Sequence, residues 1–254
     1  MIEKIISDTK KEKNTIIDDS KKLIDTDTRF DVKEAYNELR TNILFSIPSS
    51  DSKVIAMTSS VTSEGKSTTC LNSAISFAET YGKSIIIDCD LRRPNVNKLL
   101  GTKGEKGLSN LLVNDCSFEN AVVKTKYKNL DAITAGSIPP NPTELLESEN
   151  MTELIDELKK EYKYIFLDTP PVNIVIDASI LAKISDGVVI IVRQQLAEKR
   201  MLRETVKKLR FANAKILGFV LNDVPVTSKS YVRGRFGKYG YSTYSCLLYT
   251  SDAA

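Results

Sequence analysis

Along residues 30–221, short runs of consecutive apolar residues alternate with longer stretches whose apolar residues recur every three or four positions. The short runs are Val54–Thr58, Ser84–Asp88, Leu130–Thr134, Tyr164–Asp168, Val188–Arg193 and Ile216–Leu221. Strands covered on both faces read this way, whereas half-exposed strands alternate. The periodic stretches predict helices over Lys66–Tyr81, Met151–Tyr162, Asp177–Ile184 and Glu198–Ala212. Ahead of the first strand, Ala35, Tyr36, Leu39 and Ile43 fit one face of a further helix over Phe30–Phe45. Strand–helix alternation of this kind predicts an α/β fold, a mostly parallel sheet with helices on both faces, in a single domain. Right-handed crossovers then collect the strand C-termini along one edge, where ligands bind.

Composition narrows the classes. The 254 residues are 41% hydrophobic and 27% charged with a net charge of +3, which suits one large domain and gives no global signal for a nucleic-acid partner. Residues 1–28 are polar and unpatterned and read as a mobile leader, without the apolar core of a signal peptide. No apolar run approaches the roughly 20 residues that span a bilayer. Cys70, Cys89, Cys116 and Cys246 fit neither zinc spacing nor a disulfide framework, so a reduced cytoplasmic compartment is expected. The chain has no histidine, which excludes Ser-His-Asp and Cys-His chemistry and leaves proton handling to carboxylates, lysines or a metal.

The informative residues fall at strand ends. The first strand runs into Thr58-Ser59-Ser60-Val61-Thr62-Ser63-Glu64-Gly65-Lys66-Ser67-Thr68, and a helix follows. This is a P-loop in the strand–loop–helix setting that the motif requires, although Ser60 stands where the strict pattern has its first glycine. Residues Ser63 to Thr68 are the candidate nucleotide cradle. Backbone N–H groups and the helix N-terminus would hold phosphates, Lys66 would reach the β- and γ-phosphates, and Ser67 would ligate Mg²⁺. The second strand ends in Ile85-Ile86-Ile87-Asp88-Cys89-Asp90-Leu91-Arg92-Arg93. A period of two puts Asp88 and Asp90 on one side and Cys89 on the other. Paired carboxylates there call for a cation such as nucleotide-bound Mg²⁺, or else belong to a solvated loop paired with Arg92 and Arg93. In Tyr164-Ile165-Phe166-Leu167-Asp168-Thr169-Pro170-Pro171, four apolar residues end in an aspartate, the Walker-B form in which Asp168 would hold a Mg²⁺-bound water. Three such motifs in order imply ATP and Mg²⁺ as cofactors.

The set resembles the bacterial tyrosine kinases of capsule and exopolysaccharide synthesis, a branch of the P-loop NTPases of MinD/ParA-like architecture. The likeness covers residues from about 29 to 245 and rests on the P-loop, on Ile87-Asp88-Cys89-Asp90-Leu91-Arg92 (the Walker A′ form) and on Leu167-Asp168-Thr169-Pro170-Pro171. It extends to Gly107-Leu108-Ser109-Asn110, to Ala135-Gly136-Ser137-Ile138-Pro139-Pro140-Asn141-Pro142-Thr143-Glu144-Leu145-Leu146 and to Gly218-Phe219-Val220-Leu221-Asn222. The resemblance implies a non-specific ATP:protein-tyrosine phosphotransferase. Lys66, Asp88 and Asp90 would be its catalytic residues, and Ser67, Asp88 and Asp168 would lie around Mg²⁺. The sequence does not divide the metal and base roles between Asp88 and Asp90. Asn222, at the end of the last strand, is a candidate adenine contact, with capping or a turn as the other reading.

The resemblance further implies a ring-shaped homo-oligomer and a separate transmembrane polysaccharide co-polymerase as activator, which would recruit a cytoplasmic chain to the inner face of the membrane. Two departures from the family pattern stand out. Thr62-Ser63 replace the usual Pro-Gly, and the oligomerisation helix reads Glu34-x-x-Asn37-x-x-Arg40 where relatives carry a middle arginine. Between residues 229 and 245, Tyr231, Tyr239, Tyr241 and Tyr244 lie among glycines and serines with no helical or strand period, as accessible phosphoacceptors would. Residues 246–254 resemble a translated sequencing adapter and are set aside as an artefact. The kinase domain is thus expected over residues 29–228 and the tail over 229–245. The competing readings are a MinD/ParA-like ATPase switch and a non-catalytic nucleotide-binding adaptor of a polysaccharide-export complex. Val61 stands where the switch proteins place a signature lysine.

Overall fold

The computed structural model describes residues 23–47, 49–194, 196, 198–224 and 245–249. Eight strands form one sheet in the order β3-β4-β2-β5-β1-β6-β7-β8. The strands are β1 (Lys53–Ser59), β2 (Ser84–Asp88), β3 (Val122–Lys124), β4 (Leu130–Ile133), β5 (Tyr164–Asp168), β6 (Gly187–Arg193), β7 (Ile216–Val224) and β8 (Ser245–Tyr249). The six inner strands are parallel, while β3 and β8 pair antiparallel at the two edges. The longer helices are α1 (Phe30–Ser46), α2 (Lys66–Tyr81), α7 (Glu149–Glu161) and α9 (Lys199–Phe211). Short helices lie between them: α3 (Val96–Leu100), α4 (Leu108–Leu112), α5 (Phe118–Ala121), α6 (Pro142–Glu147) and α8 (Asp177–Leu181).

All six expected strands and all five expected helices are present, because each carries its own periodic signal. Alternate residues of the inner strands feed two cores. Ile55, Met57, Ile86 and Phe166 pack beneath α1 and α2, while Val54, Ile85, Ile87, Cys89 and Leu167 pack on the opposite face beneath α7 and α9. Under α2, Phe77 meets Tyr164 and Phe166 edge-on, with ring centroids 4.7 and 5.2 Å apart.

Three features depart from the sequence reading. Leu23 and Ile24, placed in the leader, are buried in the first core, and the Ile24 amide donates to Asn72 Oδ1 at 2.9 Å. Two apolar residues are too few for a period, so only tertiary contact reveals them. The edge strand β3 and the short helices after β2 and β4 were not expected, since segments of three to six residues are too short to show a period. Residues 245–249, of which 246–249 were set aside at the sequence level and 245 was placed in the tail, pair as β8 with β7, whose outer edge offers backbone donors and acceptors. The tail tyrosines lie outside the described residues. Among the described residues, no helix is long and apolar enough to cross a membrane.

Two stretches that carried the family resemblance meet in the fold. The Leu108 and Ser109 amides donate to the Thr134 and Ala135 carbonyls at 2.7 and 3.0 Å. Ser109 Oγ donates to the Ser137 carbonyl at 2.6 Å, and Asn110 Oδ1 accepts from the Gly107 amide at 3.2 Å. A Cβ at Gly107 would sit 2.2 Å from the Thr134 carbonyl oxygen, so this glycine is required by close backbone approach. Gly107→Ala is expected to lower stability by about 1–3 kcal/mol, the usual cost of overpacking. In a thermal melt this corresponds to a midpoint lower by roughly 2–10 °C. An unchanged midpoint would show that the two loops separate freely.

Candidate active site

Strand order places the three motifs side by side, since β2, β5 and β1 are consecutive neighbours. Asp88 is in register with Asp168, and Asp168 with Met57, so the A′ and Walker-B carboxylates share one face of the sheet on adjacent strands. Cys89 faces the opposite core, as the alternation predicts. The P-loop runs from the end of β1 to the N-terminus of α2, whose first amide groups lack intrahelical partners and point into the loop.

Lys66 is the hub. Its Nζ lies 2.6 Å from Asp168 Oδ1 and 3.7 Å from Asp90 Oδ2, and it donates to Ser67 Oγ at 3.2 Å. Burial pulls the Lys66 pKa down, but the Asp168 and Asp90 carboxylates outweigh it and hold the ammonium above its ordinary value. Asp88 is fully buried, and its oxygens accept three backbone amides: Asp90 at 3.2 Å, Asn95 at 3.0 Å and Val96 at 3.0 Å. Burial, then the charge of Asp168, raise its pKa to about 7, against the pull of Lys66 and those amides. Asp90 is also raised, chiefly by burial, with Lys66 opposing. Its Oδ1 accepts the Arg93 amide at 3.0 Å. Three carboxylates around one ammonium leave excess negative charge, and protons are retained in consequence.

The donor set suits a nucleotide-borne Mg²⁺. Asp168 Oδ2 is buried without a hydrogen-bond partner, an acceptor ready for a metal-bound water. The described residues hold no cluster of three or more carboxylate or thiol ligands able to grip an ion alone. Mg²⁺ characteristically takes one or two protein oxygens together with substrate phosphates, which matches Ser67 Oγ and this carboxylate.

The solvated-loop alternative for the A′ motif does not hold. Arg92 turns away from both aspartates: its Nε donates to Asp177 Oδ2 at 3.0 Å and its Nη2 to Thr143 Oγ1 at 2.8 Å. Thr143 in turn donates to Asp177 Oδ1 at 2.7 Å. Asp177 is buried at the start of α8, so this trio ties the A′ loop to α6 and α8. Sequence reasoning missed the roles of Asp177 and Thr143: Thr143 lies in a stretch quoted for its likeness alone, Asp177 lies in no motif, and a separation of 85 positions between Arg92 and Asp177 hides the pairing.

The loop itself is braced from within. Glu64, expected only as a phosphate-cradle residue, is almost fully buried, and its Oε2 accepts the Ser60 and Val61 amides at 2.7 and 2.9 Å. Its Oε1 accepts the Arg193 amide at 3.2 Å. Burial pushes the Glu64 pKa up. Asn222, the candidate adenine contact, donates its side-chain amide to the Glu64 carbonyl at 3.0 Å. Gly65 has φ +84°, and a Cβ there would lie 2.1 Å from Asn222 Nδ2, so glycine is needed for both conformation and space. On α1, Asn37 donates to Glu34 at 2.7 Å, and Arg40 donates to Asn37 at 2.8 Å and to Ser76 Oγ at 2.6 Å. Of this motif, Arg40 reaches across to α2, while Glu34 is exposed and Asn37 bonds within α1.

An AAA domain family matches residues 52–217, and the curated relatives decide the branch. Tyrosine-protein kinase YwqD of Bacillus subtilis is 37% identical over 207 residues, covering 82% of this chain and 86% of its own. The chain belongs to the bacterial tyrosine-kinase family of P-loop NTPases. Tyrosine-protein kinase CpsD of Streptococcus agalactiae is 33% identical over 209 residues, covering 82% of this chain and 90% of its own. The kinase domain of Escherichia coli tyrosine kinase ETK superposes with a TM-score of 0.74 at 27% identity, over 82% of this chain and 80% of that one. MinD from Pyrococcus horikoshii, solved with Mg-ADP, shares the fold at a TM-score of 0.57 and 22% identity, over 67% of this chain and 70% of that one. Nucleotide and Mg²⁺ are thus held by a neighbour of the same fold.

Proposed function

We propose that the protein is an ATP-dependent tyrosine autokinase that phosphorylates Tyr231, Tyr239, Tyr241 and Tyr244 of a neighbouring copy and thereby regulates capsular or exopolysaccharide synthesis. The observation that carries this is the convergence of Lys66, Asp90 and Asp168 within one ion-paired cluster, beside Asp88, at the end of the P-loop. Phosphoryl transfer needs positioning and charge neutralisation more than a strong base. Ser67 and Asp168, with Asp88 behind them, would hold the metal that screens the phosphates. Lys66 would leave Asp168 for the β- and γ-phosphates, whose charge replaces that of the carboxylate.

The base role falls to Asp90. Asp88 is sealed at 0% exposure with both oxygens taken by backbone amides, whereas Asp90 keeps 7% exposure and its Oδ2 meets only Lys66 at 3.7 Å. Asp90, the more exposed of the two, would be the one to meet a phenol, whose proton would pass to Oδ2 as the phenolic oxygen attacks in line. Asn222, held on the Glu64 carbonyl, keeps its place as the candidate for the adenine side of the site. The unmodified tail from Lys229 to Ser245 carries Lys229, Arg233, Arg235 and Lys238 and no acidic residue, a charge suited to a carboxylate-lined site.

Incubation with γ-labelled ATP and Mg²⁺, followed by mass spectrometry of the products, tests the reading. Phosphotyrosine within residues 231–244 is the expected result, and hydrolysis without phosphotyrosine would favour the ATPase switch. Two partners complete the proposal, a ring of copies and a separate transmembrane activator that draws the chain to the membrane. The cytoplasmic segment of such an activator should raise the labelling rate, and an unchanged rate would remove it from the reading. Light scattering should show a particle larger than a monomer, and a monomer at working concentration would remove the ring.

A further inference from the structure

Five non-glycine residues have positive φ among the described residues: Ser63, Asn114, Asn129, Asn213 and Asp223. Asparagine and aspartate tolerate the left-handed region, so four of the five explain themselves. The remaining one, Ser63 in the phosphate loop (φ 66°), is held by Arg193, which also grips Asp223 near the end of β7 (φ 57°). Its Nε donates to Asp223 Oδ2 at 2.7 Å, and its Nη1 donates to the Ser63 carbonyl at 3.2 Å. The guanidinium is thus a planar strap with one end on a carboxylate and the other on the backbone of the P-loop.

Serine in this conformation is strained, because its Cβ crowds the following carbonyl. A loop whose shape must be fixed before phosphate arrives cannot be left to relax there. The neighbouring bonds restrain the residues around Ser63 but not its own peptide: Glu64 secures Ser60, Val61 and Arg193, and Asn222 secures the Glu64 carbonyl. Among the described residues, the Ser63 carbonyl accepts only from the Arg193 side chain.

We propose that Arg193 is a positioning residue for ATP binding, which holds Ser63 in its left-handed conformation and anchors the phosphate loop to the end of β7. The proposal rests on the nucleotide-binding reading of the site. It gives the chain's serine a compensating brace, and it links the loop mechanically to the strand from which the tyrosine tail departs. Arg193 touches no reacting atom in this arrangement, so its loss acts on binding before chemistry.

The test compares the wild type with Arg193→Met, Ser63→Gly and the double variant. Arg193→Met is expected to raise KM for ATP about 5–10-fold while kcat stays within about 2-fold, as loss of one partly exposed charged hydrogen bond would. Ser63→Gly removes the strain, so in the double variant KM should return to within about 2-fold of Ser63→Gly alone. Hydrogen exchange on nucleotide-free protein gives a readout independent of ATP: the Glu64 and Gly65 amides should exchange faster in Arg193→Met and be largely restored in the double variant. Should Arg193→Met fail to fold, Asp223→Asn releases the strap from its other end and is expected to shift KM and exchange in the same direction. Unchanged exchange and KM, or a double variant as impaired as Arg193→Met, would overturn the strap. A wild type that binds no ATP, yet shows the expected exchange pattern, would instead sink the nucleotide reading and leave the strap standing.

Discussion

Lys66→Met should lower autophosphorylation by about 10²–10³-fold, the typical cost of removing one preorganised charge contact from a transition state. The geometry makes this lysine hard to replace. Its ammonium pairs with both Asp168 and Asp90, and it is almost fully buried. No displacement of a neighbouring side chain would supply a second charge at the same point, and methionine keeps the length of the side chain while losing that charge. The remaining carboxylates can respond by holding protons, so the fold is expected to survive. Anti-phosphotyrosine detection, with circular dichroism to confirm folding, reads the outcome. Wild-type phosphotyrosine in the folded variant would remove Lys66 from catalysis, and the kinase assignment of this site with it.

The legible part of the molecule is the part with local signals. Buried strands announce themselves by unbroken apolar runs, and the chemistry at their ends follows because Asp88 and Asp168 each terminate such a run. Even the orientation of Asp88 and Cys89 to opposite faces came from period two alone. What the sequence hid depends on distant partners. Arg92 reads as a counter-ion for the adjacent aspartates, but it belongs to Asp177, and nothing local distinguishes the two pairings. Glu64 looks like a cradle residue, yet its carboxylate is spent on bracing the loop that it belongs to. Arg193 ends a strand as many exposed basic residues do. Its significance appears only when two left-handed residues, 160 positions apart in sequence, are found at its two ends. Leu23 and Ile24 show the same limit at the domain boundary, where burial depends on distant residues of α1 and α2.

The second large effect concerns proton linkage at Asp88 in protein free of nucleotide and metal. The folded-state pKa, raised from 3.8 to about 7, means that the native protein keeps a proton which the unfolded chain releases. Stability from this group is therefore complete below about pH 4. It declines as pH rises and is gone once pH passes about 7. Within that window the slope approaches about 1.4 kcal/mol per pH unit. The groups facing Asp88 do not cancel it: Lys66 stays charged throughout, Asp90 is raised in the same sense, and burial keeps the Cys89 and Cys70 thiols neutral. Asp88→Asn, a neutral stand-in without a titrating proton, isolates the contribution. Going from pH 5 to pH 7.5, the wild-type melting midpoint should fall relative to that of the variant by roughly 5–10 °C, from about 2–3 kcal/mol of linkage in a domain of this size. A proton retained near neutrality reflects first the burial of Asp88 and then the charge of Asp168 on the adjacent strand, the same crowding that suits the site to a divalent cation. If the two midpoints run parallel across this range, Asp88 is already ionised in the folded protein. The negative charge of the site would then be balanced by something other than a proton.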